Sequence, residues 1–160
     1  IKDALLNAHP YVTRTVIEQT KKIPAVLKNE YFQALQTTRS YVNIEKLMWL
    51  LYENFPNEYS KILTAVKNLK HSPNDRKIEI TALSIEYLQT KNKDAVNKIV
   101  MYASPSFEFL TKINAFHALM KIDYDDDRVN KYLKIASNSA NHRLANVAKE
   151  VLEHFQKIKK

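Results

Sequence analysis

The chain has 160 residues, about the length of one ordinary domain. Its composition, with 45% hydrophobic and 26% charged residues, is typical of a globular protein. It has no cysteine and no glycine, which excludes disulfides, thiol nucleophiles, thiolate metal sites and glycine-built phosphate loops. The net charge of +8 comes from 20 lysines against five arginines in scattered positions, which favours a solvated surface over nucleic-acid binding. No apolar run approaches the ~20 residues of a transmembrane helix, so no membrane partner is expected.

Five prolines mark predicted helix starts, because each precedes a helix-period pattern at a position where its missing N–H costs nothing. They are Pro10, Pro24, Pro56, Pro73 and Pro105. Ser72 with Asp75, and Ser104, are the capping residues expected beside Pro73 and Pro105. No segment alternates with period two, so we predict an all-α protein. Its helices, about nine in number, are expected near residues 10–22, 24–38, 43–55, 56–70, 73–89, 92–103, 105–121, 126–137 and 139–157.

The predicted helices repeat with a period of about 33 residues. This shift superposes Ala82, Ala115 and Ala148, whose small side chains would let neighbouring helices approach closely. A period of this length, built from helix pairs, is typical of an α-solenoid. We therefore predict one domain over 1–160, an α-α superhelix of HEAT/ARM-like antiparallel helix pairs. A helical bundle without repeats is the alternative.

The five histidines give no metal motif, since no two are spaced i, i+4 as in the HExxH zinc helix. They are His9, His71, His117, His142 and His154. His71 and His142 are placed in connections between helices, where capping or solvent contact is expected. His117 and His154 are placed on helices beside polar neighbours. We predict no metal-ligating, cofactor-binding or catalytic residue in the chain.

An acidic cluster at Asp123, Asp125, Asp126 and Asp127 is spaced like the start of a calcium loop. Such a loop needs Gly at its sixth position and Glu at its twelfth, and Arg128 and Lys134 stand there instead. We therefore predict that these aspartates cap the helix that begins near residue 126. Glu150 and Glu153 are assigned to a solvated helix face.

Several short strings resemble the C-terminal region of aminopeptidase N-like zinc metallopeptidases of the Bacteroidetes type. In chain order they are Ser40 to Lys46, Leu51-Tyr52, Asn54-Phe55-Pro56, Tyr102 to Phe107, Asn114-Ala115-Phe116, and His142-Arg143 through Val151-Leu152. The resemblance implies a HEAT-like helical domain that follows the catalytic domain and forms one wall of the peptide-binding cavity. It also implies that basic residues of the domain meet the C-terminal carboxylate of the peptide substrate, without indicating which lysine does so.

The family's zinc ligands and substrate-amine motif have no counterpart among these residues, so the resemblance carries no catalytic residue onto the chain. Zinc is expected only in the catalytic domain of the parent enzyme, and that domain is the expected partner. Residues 1–8 look like the tail of a helix that begins upstream, so we expect a C-terminal fragment of a longer bacterial chain, exported if the parent has a signal peptide. The alternative function is a free-standing HEAT-like scaffold that binds protein or nucleic acid along its concave face.

Overall fold

Residues 1–67 and 76–159 are described by the computed structural model, and every regular element in these two ranges is helical. The all-α prediction is confirmed. The chain divides into two compact units, Ile1–Ser72 and Pro73–Lys160, and each is described by itself. A single domain over the whole chain stays a prediction.

The first unit contains five α-helices. They are α1 (Lys2–Leu6), α2 (Pro10–Gln19), α3 (Lys28–Thr37), α4 (Tyr41–Asn54) and α5 (Tyr59–Lys67), with short 3-10 segments at Ala25–Leu27 and Pro56–Glu58. Helices two apart in the chain pack on each other, α1 on α3, α3 on α5 and α2 on α4, in addition to neighbours such as α3 and α4.

Asparagine side chains join α4 to the segment 33 residues earlier. Asn43 is completely buried, and its amide donates to the carbonyl oxygen of Pro10 at 3.0 Å while Arg14 Nε donates to its Oδ1 at 3.2 Å. At the other end of α4, the Asn54 amide donates to the Lys21 carbonyl at 3.2 Å and its Oδ1 accepts from the Ile23 N–H at 2.9 Å. The Asn54 bonds satisfy backbone groups of the connection that follows α2.

The second unit contains α6 (Lys77–Thr90), α7 (Lys93–Tyr102), α8 (Phe109–Lys121), α9 (Asp127–Ser137) and α10 (His142–Ile158). Here α8 packs on both α6 and α10, α7 packs on α6 and α8, and α9 packs on α10. One apolar cluster, which includes fully buried Phe116, Leu133 and Ala148, joins all five helices. Between α6 and α7, Glu79 accepts hydrogen bonds from Tyr102 and Lys98, both at 2.8 Å.

The predicted helix starts are confirmed in part. Pro10 is the first residue of α2, Pro56 opens a 3-10 segment and Pro24 immediately precedes one. The start predicted at Pro105 is wrong, because α8 begins at Phe109 and the Glu108 carboxylate caps it by accepting from the N–H groups of Leu110 and Thr111.

The physical reason for that error is an aromatic contact. The Phe107 ring packs edge-on against Tyr102 with centroids 5.1 Å apart, and the Phe107 N–H donates to the Ser104 carbonyl. The chain therefore turns twice before α8 can begin. The prediction of a start at Pro73, with Ser72 and Asp75 as caps, lies outside the described residues.

Two helices of the second unit end on a residue in the left-handed conformation although the chain has no glycine. Lys91 after α6 has φ of 57°, and Asp123 after α8 has φ of 52°. Lys91 directly follows the last residue of α6, whereas Asp123 stands one residue further from the end of α8, after Ile122. A residue with a Cβ costs roughly 1–2 kcal/mol more than glycine in this region.

We expect Ala115→Arg to destabilise the protein by several kcal/mol, because Ala115 is completely buried and the substitution places an unpaired charge in the core. Urea denaturation measures the change in the free energy of unfolding. Ala140→Arg is the matched control, since Ala140 is exposed between α9 and α10 and should shift stability by no more than ~0.5 kcal/mol. Equal effects of the two substitutions would show that Ala115 is not in a close helix contact.

A second prediction concerns the left-handed turn at Lys91. Lys91→Val should be less stable than Lys91→Asn by at least about 1 kcal/mol, because valine is strongly disfavoured at positive φ and asparagine tolerates it. Both variants lose the contact of the Lys91 ammonium with the Tyr87 ring, so their difference isolates the backbone. Thermal unfolding of the pair measures it, and identical melting temperatures would contradict the left-handed assignment.

Candidate binding face

Residues that are 33 positions apart in the sequence fall at corresponding places on α6, α8 and α10, the even-numbered helices of the second unit. Lys77, Leu110 and Arg143 occupy equivalent positions in the first turn, and Ser84, His117 and Glu150 do so two turns later. The C-terminal ends of α10 and α8 are joined by a hydrogen bond between His154 Nε2 and Asp123 Oδ1, which lie 2.7 Å apart.

One stripe of α8 remains open to solvent, and a matching stripe of α10 continues it. Leu110 and His117 are exposed, whereas Ile113, Ala115, Phe116 and Leu119 of the same helix are buried. We call this surface the α8–α10 face. It consists of Leu110, Asn114, His117 and Lys121 of α8 and Arg143, Val147 and Glu150 of α10, bordered by Lys77 at the start of α6.

His117 lies at the centre of this face and responds to charges from both neighbouring helices. Desolvation lowers the pKa of its imidazole below the ordinary 6.5, and the nearby cations Lys77 and Arg143 lower it further. Glu150 opposes this shift by favouring the charged form. His117 is therefore mostly neutral at pH 7, so its ring can both donate and accept a hydrogen bond.

The α8–α10 face carries charges of both signs. Its cations are Lys77, Lys121 and Arg143, and Glu150 contributes a carboxylate. Among the described residues, no carboxylate oxygen lies within 4.0 Å of the exposed Arg143 guanidinium. Leu110 and Val147 add apolar area between the charges. Such a surface can bind an extended chain that carries carboxylates.

The other histidines have structural roles or lie elsewhere. His9 caps α2, since its Nδ1 accepts from the Tyr11 N–H at 3.3 Å, and His154 bonds Asp123. His142 was predicted in a connection, but it is the exposed first residue of α10, because Asn141 caps that helix by accepting from the Leu144 N–H. His71 lies outside the described residues.

The capping prediction for the acidic cluster is confirmed at Asp126. Its carboxylate accepts from the Val129 N–H at 2.9 Å and from Arg128 Nη2 at 2.7 Å. Burial alone would raise the pKa of Asp126, but the hydrogen bonds from Arg128, Val129 and Tyr124 outweigh it, and the pKa lies below its ordinary value. Asp125 accepts from Asn130 at 2.8 Å and pairs with Lys159.

In the first unit the structure gathers an exposed aromatic and cationic cluster that the spacing did not predict. The Tyr11 ring is 68% exposed, the His9 ring stacks on it with centroids 5.2 Å apart, and the Arg14 guanidinium lies 5.1 Å from its centroid. Arg14 is fixed by its bonds to Asn43 and to Ser40 Oγ. Tyr11 and Arg14 are three residues apart on α2, a spacing that places them on the same helix face, and the packing of α2 on α4 adds the Asn43 bond that fixes Arg14.

Within residues 1–67 and 76–159, no three His, Asp or Glu side chains come close enough together to hold a metal ion. No helix in these ranges is long and apolar enough to span a bilayer. Comparison with protein-family models, with curated proteins and with solved structures gives no match for the chain.

A pH dependence follows from His117. Because its pKa is lower in the folded protein than the ordinary 6.5 of an unfolded chain, acidification protonates the unfolded state first and costs stability. We expect the stability of the wild type to fall relative to His117→Gln as pH drops below about 6.5. Urea denaturation at pH 7.5 and pH 5.5 tests this.

Glu150→Gln provides the control, because removing the carboxylate that favours the charged imidazole should widen the difference. Parallel pH profiles for the wild type and His117→Gln would contradict the assigned environment.

Proposed function

We propose that this chain is a non-catalytic α-solenoid domain that forms a peptide-contacting wall beside the catalytic domain of an aminopeptidase N-like zinc metallopeptidase. The observation that carries the proposal is where the resembling strings lie. Ser40 caps α4, Asn43 and Asn54 join α4 to the segment before it, and Tyr102 with Phe107 forms the corner before α8. The residues that carry the resemblance are thus those that set the spacing between successive helices.

The solenoid part of the proposal is supported by regularities that recur within each unit. Helices two apart pack together, and side-chain bonds connect positions 31 to 33 residues apart, such as Asn43 to Pro10, Arg128 to Asn97 and His154 to Asp123. A repeat protein needs such nearest-neighbour contacts at a constant sequence separation, because each repeat buries its apolar face only against the next.

A second candidate function is a free-standing scaffold, and the cluster of His9, Tyr11 and Arg14 favours it. Exposed rings beside an arginine that pairs with no carboxylate are the groups on which single-stranded nucleic acid stacks. The two functions differ in the ligand and in the unit that holds it. Fluorescence anisotropy with a labelled single-stranded oligonucleotide, compared between the wild type and Tyr11→Leu, separates them.

The gene that encodes this chain gives the decisive test. We expect the same reading frame to encode an HExxH segment, with a downstream Glu as third zinc ligand, within a few hundred residues before Ile1. Its product should hydrolyse aminoacyl-anilide substrates, whereas residues 1–160 alone should neither hydrolyse them nor retain stoichiometric zinc after dialysis. A reading frame without such a segment would refute the proposed function, as would chelator-sensitive turnover by residues 1–160 alone.

A further inference from the structure

We propose that the cluster of His9, Tyr11 and Arg14 binds a nucleotide of single-stranded nucleic acid, with the base stacked on the two rings and a phosphate held by the guanidinium. The inference rests on the second candidate function above and assigns a ligand group to each side chain of the cluster. It does not depend on the aminopeptidase assignment.

The rings of the cluster are accessible to a ligand. The His9 ring stacks on Tyr11 with their planes inclined by 20°, and Tyr11 remains 68% exposed with this contact made and with the Arg14 guanidinium 5.1 Å from its centroid. His9 is exposed as well. A nucleobase that adds to rings already in contact with each other orders few further side-chain rotors, so little entropy offsets the stacking energy.

Arg14 has hydrogen-bond donors left for a phosphate, because a guanidinium has five N–H groups. Its Nε donates to Asn43 Oδ1 at 3.2 Å and one N–H of Nη2 donates to Ser40 Oγ at 3.5 Å. The two N–H groups of Nη1 and the second N–H of Nη2 have no acceptor among the described residues. Since Asn43 is completely buried, it holds the guanidinium in one orientation before a ligand arrives.

The cationic groups beside the rings are not neutralised within the part of the chain that the structure describes. No carboxylate oxygen there lies within 4.0 Å of the guanidinium of Arg14 or of Arg39, which is exposed and directly precedes Ser40. Tyr41, which directly follows Ser40, is also exposed. A second arginine and a second ring thus flank the residue that Arg14 contacts, an arrangement that suits a strand better than a free nucleotide.

Stacking and phosphate contact differ in their dependence on salt, which allows the two roles to be measured separately. Each phosphate that a protein neutralises on a single strand releases counterions and contributes about 0.7 to the slope of log K against log salt concentration. Stacking on a ring adds affinity without releasing counterions. Tyr11 should therefore govern the affinity alone, and Arg14 both the affinity and the slope.

The test is fluorescence anisotropy of the 160-residue chain with a labelled ten-nucleotide oligothymidylate, at salt concentrations from ~50 to ~200 mM. We expect Tyr11→Leu to weaken binding by at least roughly fivefold at an unchanged slope, and Tyr11→Phe to keep the affinity because it keeps the ring. Arg14→Gln should weaken binding and reduce the slope by about 0.7, whereas Arg14→Lys should keep the slope because it keeps the charge.

Lys22→Gln is the matched control for the loss of one positive charge. Lys22 is exposed and follows α2 at the end opposite to Tyr11, so its removal should leave both the affinity and the slope nearly unchanged. An unlabelled duplex of the same length should compete more weakly than the single strand, because its bases are already paired and stacked. Circular dichroism verifies that every variant is folded.

Three outcomes would overturn the inference: equal losses in Lys22→Gln and Arg14→Gln, equal affinities of Tyr11→Leu and Tyr11→Phe, or competition by free thymidine monophosphate as strong as that by the strand at the same nucleotide concentration. In each case a wild type that binds the strand keeps the nucleic-acid-binding scaffold as a function and moves its site to another surface. No binding by the wild type at ~50 mM salt would refute the scaffold's nucleic-acid ligand together with the inference.

Discussion

Packing between helices two places apart is the constraint on which the other features of both units depend. It joins α1 to α3, α2 to α4 and α3 to α5 in the first unit, and α6 to α8 and α8 to α10 in the second. In the second unit it is closest around α8, which contacts α6, α7 and α10 and buries Ala115, Phe116 and Leu119 completely. A side chain larger than alanine at position 115 would push these helices apart, because cores are packed at near-crystalline density. The burial of α8 on three sides leaves it one open stripe, and that stripe is the centre of the candidate binding face.

Hydrogen bonds of polar side chains fix the register between helices that are two places apart. An apolar contact between two helices tolerates sliding, whereas a buried amide such as that of Asn43 must find its partners or cost free energy. Asn43 meets the Pro10 carbonyl and Arg14 at only one relative position of α2 and α4. The bond between His154 and Asp123 at the far ends of α10 and α8 is partly exposed, so it adds less energy but selects the same kind of register.

Sequence patterns predicted the helical class, the cap at Asp126 and the approximate position of every helix in the described residues, because apolar periodicity and capping chemistry are local. The helical stretch expected over residues 1–8 corresponds to α1. They failed at Pro105, where a contact between Tyr102 and Phe107 decides where the chain turns. Sequence patterns also did not predict the α8–α10 face, although they had indicated the 33-residue repeat. His117 and Glu150 are 33 residues apart, at equivalent positions of the repeat. This relation indicates a shared surface only when the burial of each residue is known, because burial shows which stripe of α8 is open to solvent. Burial depends on the neighbouring helices, which no single helix pattern contains.

The electrostatic environment of the α8–α10 face follows from the packing of α8 on α6 and α10. A lysine and an arginine on the surface of an isolated helix would be solvated separately and would have little effect on one another. Desolvation is the largest influence on the His117 imidazole and lowers its pKa. Glu150 opposes that shift, and Lys77 and Arg143 of the two neighbouring helices lower the pKa further. The neutral ring limits the local repulsion between cations that a third positive charge would add. Among the described residues no carboxylate oxygen pairs with the exposed Arg143 guanidinium, and Glu150 is the group whose charge favours protonation of His117.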